Sequence, residues 1–407
     1  MPKVSDYNKC GMLINKSEQE QPVRTWTRVE TFCNIEAYKN FTTEQLDFRR
    51  KQEILKYKKN ANTISKKQLY SYVNKFRNVK NTSTFIKKGN TLICPYEYYD
   101  EWVQLGEDIC GNEANDLFGL SIALNSEGNI LAIGSPFSDI SGQNSGLVEV
   151  YQYNQITNMW QQQGQDICGN NNSDAFGSSV ALNSNGDILA VGSPYSDISG
   201  QDSGLVEVYQ YNQITNMWQQ QGQDICGNKA NDAFGRSVAL NSNGDILAVS
   251  SPFHDINGTD SGLVEVYQYN QNTNMWQQQG QDICGNKAND IFGWSIALNS
   301  EGNILACGSH NSDINGKNSG LVEVYQYNQN TNMWQQQGQD ICGNKANDLF
   351  GWSIALNSEG NILASGAPES VNISGINSGI VQVYNLEKTE PKVPLVNYNT
   401  IRSYPSN

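Results

Sequence analysis

The segments Phe176-Gly-Ser-Ser-Val-Ala-Leu-Asn183, Ser184-Asn-Gly186 and Asp187-Ile-Leu-Ala-Val-Gly-Ser-Pro194 decide the fold. The outer two are short apolar runs of strand length, and the Ser-Asn-Gly between them is a tight-turn signal. Pro194 ends the second strand because it has no N–H to give a ladder. After a polar loop, Gly204-Leu-Val-Glu-Val-Tyr-Gln-Tyr211 reads as a third strand. A turn through Asn216 then leads to a more polar fourth, Trp218-Gln-Gln-Gln-Gly-Gln-Asp-Ile225. Four strands at about 8–12-residue spacing make an antiparallel meander. No part of the unit carries a 3.6-residue apolar period long enough for a helix.

Outward from this unit the chain copies itself every 58 residues. Trp102, Trp160, Trp218, Trp276 and Trp334 fall in register, as do Cys110, Cys168, Cys226, Cys284 and Cys342. So do Phe118, Phe176, Phe234, Phe292 and Phe350, each followed by Gly. Repeats of this length build solenoids, propellers or arrays. The body opens on a lone fourth strand, Glu101-Trp-Val-Gln-Leu-Gly-Glu-Asp-Ile109, and closes on a third, Gly379-Ile-Val-Gln-Val-Tyr384. A solenoid would need distinct capping repeats, and none is visible. A ring instead uses the opening strand to complete the last blade, which removes exposed edges. The sequence therefore predicts an all-β, five-bladed β-propeller over residues 101–386, closed head to tail with Trp102 zipped against Val381 and Val383.

Charge divides the 407 residues differently. Residues 1–100 hold 19 Lys+Arg and 10 Asp+Glu, a net of +9, whereas residues 101–407 hold 8 and 31, a net of −23. This asymmetry predicts a basic N-terminal module (1–100), the propeller (101–386) and an extended tail (387–407). No apolar run approaches the ~18 residues of a membrane helix, and the start lacks the apolar segment of a signal peptide. Membrane insertion and host-driven secretion are therefore not expected.

Phe118-Gly119 with Gly134-Ser-Pro136, Phe176-Gly177 with Gly192-Ser-Pro194, and Phe350-Gly351 with Gly366-Ala-Pro368 resemble FG-GAP repeats, the propeller units of integrin α chains. The pattern is closer to tandem Trp-containing FG-GAP-like repeats of marine microbes. Blades three and four depart from it, with Ser250-Ser-Pro252 and Gly308-Ser-His310. The resemblance covers about 285 residues and implies the propeller fold, not a function. Many such repeats carry a calcium loop between their first two strands. Here the loops, such as Asn183-Ser-Asn-Gly186 and Asn299-Ser-Glu-Gly302, are short and hold at most one acid before the Gly, too few oxygens for calcium. They read as tight turns with Gly at positive φ. Asp139, Asp197, Asp255 and Asp313, in a second loop, read as turn-forming residues. No cofactor or metal is expected.

Catalytic motifs are missing too. There are two His, His254 and His310, without an acidic or Cys partner at motif spacing, and no His-Glu-x-x-His, Gly-x-Ser-x-Gly or phosphate-loop pattern occurs. The mid-strand acids Glu149, Glu207, Glu265 and Glu323, replaced by Gln382 in blade five, read as a structural ring. Nine Cys without a Cys-x-x-Cys read as reduced thiols, in keeping with assembly in a cytoplasm. The copies differ after Phe-Gly, at Leu120, Ser178, Arg236, Trp294 and Trp352, and likewise after the second strand, at Phe137, Tyr195, Phe253, Asn311 and Glu369. Trp294 and Trp352 on adjacent blades, beside Arg236, form a candidate partner-binding or glycan-stacking patch, with inter-blade packing as the alternative.

In the basic module, Thr42–Lys59 reads as a helix, with Thr42 or Thr43 as N-cap, Glu44 and Asp47 in its first turns and Lys56, Lys58 and Lys59 at its end. Ser65–Phe76 reads as a second. Thr27-Arg-Val29, Gln45-Leu-Asp-Phe-Arg-Arg-Lys-Gln-Glu-Ile-Leu-Lys-Tyr-Lys58 and Ser65-Lys-Lys-Gln-Leu-Tyr70 are similar to a segment of giant nucleocytoplasmic DNA virus proteins. That resemblance implies a virus-encoded, virion-associated protein. Arg49, Arg50, Lys51, Lys56, Lys58, Lys59, Lys66 and Lys67 are then candidate anchors to an acidic capsid or core protein, or to packaged DNA by phosphate neutralisation. A merely solvated helical face is the remaining reading. The expected function is a non-enzymatic structural or interaction protein of a virion; the alternative is a carbohydrate- or receptor-binding propeller used in host attachment.

Overall fold

The structure, a computed structural model, describes residues 104–372, 375 and 377–387, together with two short strands in the N-terminal part. The chain divides into two units, Met1–Gln104 and Leu105–Asn407. In the first, Ile86–Lys88 pairs antiparallel with Thr91–Ile93, a hairpin the sequence reading did not anticipate. Both expected helices and every candidate anchor from Arg49 to Lys67 lie outside the described residues.

The second unit is an all-β, five-bladed β-propeller of antiparallel blades. Blade two is representative: Ser179–Leu182, Ile188–Ser193, Leu205–Asn212 and Met217–Gln220 pair in sequence order. A further strand, Ile225–Cys226, folds back onto Leu205 and Val206 of the same blade. The sequence alone predicts a fourth strand unbroken through Ile225, and the structure interrupts it. The break falls at Gly222, at φ 82°, where a Cβ would sit 2.7 Å from Cδ1 of Trp276 in the next blade. Close approach of that indole demands glycine there. The Asn183 turn forms as expected, with Gly186 at φ 74° and the Asn183 side-chain oxygen accepting from the Asp187 and Ile188 amides, both at 3.0 Å.

What orders the blades is the seam between neighbours. Ile188, Ala190, Val206, Val208 and Ile225 of blade two pack on Phe234, Val238, Leu247, Val249 and Trp276 of blade three, all buried. Burying each large side chain contributes roughly 2 kcal/mol. Polar contacts recur beside this apolar layer. Ser179 Oγ donates to Gly235 O at 2.8 Å, Trp276 Nε1 donates to Gln221 O at 3.0 Å, and the Ser184 amide donates to Ser242 O at 3.0 Å. Gln223 and Trp276 exchange a reciprocal pair, side-chain Nε2 to backbone O at 2.8 Å and backbone N to Oε1 at 2.9 Å.

The seam also accounts for the pairing of Phe-Gly with Gly-Ser-Pro. Phe234 bridges Gly204 of the preceding blade, which lays the Gly235 carbonyl over Gly192, where a Cβ would come within 2.1 Å of that oxygen. In blade three Ser250 replaces this glycine. Its Oγ accepts from the Ser237 amide at 3.0 Å, and the first strand shortens to Val238–Leu240.

Among the described residues the fifth blade has three strands, Ser353–Leu356, Ile362–Ala367 and Ile380–Asn385. Trp102 lies outside the described residues, and its expected partners Val381 and Val383 lie within them. Val381 and Val383 are 70% and 66% exposed, whereas their counterparts Val148 and Val150 are fully buried. On blade one, Ile122 and Leu124 are 66% and 55% exposed. The first and fifth blades thus do not cover one another, and the seam that was expected to close the ring is unpacked.

Of the mid-strand acids, Glu149, Glu207 and Glu323 are buried and Glu265 is half-buried. Desolvation, reinforced by Asp224, Asp282 and Asp340 respectively, pushes Glu207, Glu265 and Glu323 up to about 7. Tyr325 OH and Asn286 Nδ2 donate to Glu323 Oε1 at 3.3 and 3.2 Å. These acids stay protonated in the folded chain between their ordinary value of 4.5 and about 7, while the unfolded chain releases its protons. Their contribution is therefore greatest at low pH and declines as pH rises through that window.

Two outcomes are expected. Gly192→Val should lower stability by about 1–3 kcal/mol through overpacking, read as a drop in the denaturant midpoint. In thermal melts, the triple variant Glu207→Gln/Glu265→Gln/Glu323→Gln should match the wild type near pH 5 and exceed it at pH 8, because Gln382 already serves this position in blade five. An unchanged gap across that range would show that the acids do not titrate as described.

Candidate functional site

Residues following Phe-Gly lie just before the first strand of each blade, so the seam geometry lines up Leu120, Ser178, Arg236, Trp294 and Trp352 along successive blades. The three candidates of the sequence reading come together. The Arg236 guanidinium carbon lies 4.3 Å from the Trp294 ring centroid, a cation–π contact. The Trp294 and Trp352 rings are 5.3 Å apart and inclined by 51°. Trp352 is 42% exposed, whereas Trp294 and Arg236 are half-buried. Packing and presentation therefore coexist: Trp294 is the packed centre, and Trp352 offers its surface.

His310 is the member the sequence reading missed. Its ring lies 4.7 Å from Trp294 and 4.8 Å from Trp352, buried between them. The signal was present in the departure of Gly308-Ser-His310 from Gly-Ser-Pro, since Ser295 pairs with Gly308 and thereby sets position 310 beside Trp294. Burial first, and the Arg236 charge second, lower His310 to about 4. The imidazole is thus neutral near pH 7, and its buried Nδ1 has no hydrogen-bond partner among the described residues. Burial also lowers Arg236 from its usual range, which leaves it a cation at neutral pH. The patch is aromatic and carries one partly buried positive charge.

The second histidine does meet an acid, though not at motif spacing. His254 Nε2 is 3.6 Å from Asp232 Oδ2. Burial raises Asp232 to about 6 and lowers His254, so this pair is a desolvated structural contact. The loop acids act on their own backbone: Asp139 Oδ1 accepts from the Asn144 amide at 2.7 Å, and Asp197, Asp255 and Asp313 repeat this in their blades. Among the described residues no three His, Cys, Asp or Glu side chains gather as a metal site, and no helix is long and apolar enough to cross a membrane. At the inner ends of the blades a cavity of about 150 Å³ is lined by Leu124, Leu182, Leu240 and Leu298 with neighbouring Asn and Ser residues.

No protein-family model matches the chain, and no curated protein is similar to it.

With only two His in the sequence, His310 can be titrated individually by NMR. Trp352→Ala should raise its pKa from about 4 toward 6.5 by admitting water, and Arg236→Gln should raise it by a smaller amount. A titration unmoved by Trp352→Ala would place His310 outside the cluster.

Proposed function

We propose that this chain is a non-enzymatic structural and interaction protein of a virus particle. The propeller is a rigid scaffold, and the patch of Arg236, Trp294, His310 and Trp352 is its contact surface for another virion or capsid protein. One observation carries the reading: the blades are near copies, and a position at which they diverge gathers into a half-exposed aromatic patch with a cation. Trp and Arg of this kind are enriched at the centres of protein interfaces. Cores dominated by identical repeats hold shape, and symmetry-breaking residues supply identity.

The finer parts of this reading rest on sequence motifs. The Phe-Gly and Gly-Ser-Pro pairs support kinship with FG-GAP repeats, and the Gln45–Lys58 and Ser65–Tyr70 segments support a giant-virus origin. In that setting the basic residues from Arg49 to Lys67 anchor the chain to acidic virion components. DNA contact through the same residues is the weaker version, and the net −23 of residues 101–407 repels nucleic acid from the propeller. A second reading, carbohydrate or receptor binding in host attachment, is favoured by the exposed face of Trp352.

Pull-down of particle proteins on the immobilised full chain, read by mass spectrometry, tests this. A virion protein should be retained, and Trp352→Ala or Arg236→Ala should weaken its binding by roughly tenfold or more, as hot-spot truncation does. Retention unaffected by either substitution would overturn the patch as the contact surface. Binding on a glycan array, lost in Trp352→Ala, would favour attachment instead.

A further inference from the structure

The propeller ends in two unlike apolar faces, and each is one half of an interface the molecule already builds between its own blades. Blade five presents Ile362, Val381 and Val383 to solvent. In blade two the equivalent residues, Ile188, Val206 and Val208, are buried against blade three. Blade one presents Ile122 and Leu124, whose equivalents in blade three, Val238 and Leu240, pack onto blade two. Isolated exposed apolar side chains are ordinary, but contiguous apolar sheet faces mark association surfaces.

A second feature of blade five points the same way. In each inner seam a Gln-Gly-Gln segment seats the next Trp: a Cβ at Gly164, Gly222 or Gly280 would lie 2.7–2.9 Å from the indole of Trp218, Trp276 or Trp334. At the equivalent Gly338 a Cβ would meet no described residue within 4 Å. Among the described residues, none places an indole in the seat formed by Gln337, Gly338 and Gln339. Nine residues after Tyr209 stands Trp218, whereas nine after Tyr384 stands Val393, so blade five does not provide its own.

We infer that a second copy of this chain docks head to tail, its blade one covering blade five of the first. Residue for residue, the incoming face repeats what the inner seams bury. A second copy is favoured over self-closure because both faces are uncovered in a single chain. Trp160 Nε1 donates to Leu105 O at 2.8 Å, which ties Leu105 to the chain's own blade one. The interface is heterologous, with two different surfaces meeting, so association continues to a ring or a filament.

Light scattering and sedimentation on the full chain test this across a wide concentration range, with two variants. Ile122→Asp/Leu124→Asp disables the leading face, and Val381→Asp/Val383→Asp disables the trailing one. The wild type should gain mass with concentration, each variant alone should stay monomeric, and an equimolar mixture should yield a complex of twice the chain mass and nothing larger. That mixing result distinguishes a head-to-tail interface from a symmetric dimer. A wild type that stays monomeric throughout overturns the inference, as does a mixture that does not pair. A variant that unfolds when dilute overturns it as well, because the faces would then already be covered within one chain.

Discussion

Everything in the propeller depends on how closely one blade approaches the next at a few glycines. The Gly235 carbonyl lies over Gly192 at a distance no side chain permits, and that approach lets Phe234 bury and Ser179 donate to the same carbonyl. The Trp indole serves the outer part of the seam as Phe serves the inner part. It brings a large apolar surface and a single N–H that must find an acceptor once buried. The preceding blade supplies that acceptor from its own backbone, so the apolar layer and the hydrogen bond specify the same spacing. Ser250 shows the tolerance of this arrangement: one seam admits a hydroxyl by pairing it locally and giving up a residue of strand.

A seam made of the same residues several times over fixes the angle between blades several times over. That is why the unpacked first and fifth faces are a property of the whole body and not of its ends alone. It is also why the three acids behave alike. Glu207, Glu265 and Glu323 are mid-strand on faces that a neighbouring blade covers, so burial raises all three to about 7. Blade five carries Gln382 there, a side chain of nearly the same shape with no proton to lose.

The aromatic patch has a different origin. A seam that repeats faithfully leaves few positions free to vary, and the residue after Phe-Gly is one of them. Because these positions are adjacent from blade to blade, changes at three of them, with His310 in place of a proline, accumulate into one contiguous surface. Repetition thus concentrates variation in space, which is how a nearly symmetric body acquires a distinct site.

The sequence by itself determined the all-β class, the 58-residue blade, its strand order and the number of blades, because strand alternation and turn chemistry are local and the repeat states them five times. It also identified Arg236, Trp294 and Trp352 as neighbours, since register alone carries a position from one blade to the next. It did not reveal the Ile225–Cys226 strand, the burial of His310 or the contact of His254 with Asp232. Each depends on where a neighbouring strand or blade comes to lie, not on which residues are adjacent in the chain. Closure of the ring was beyond sequence for the same reason. Counting strands says how many blades there are, whereas the angle at which packed side chains set one blade on the next decides whether the last meets the first.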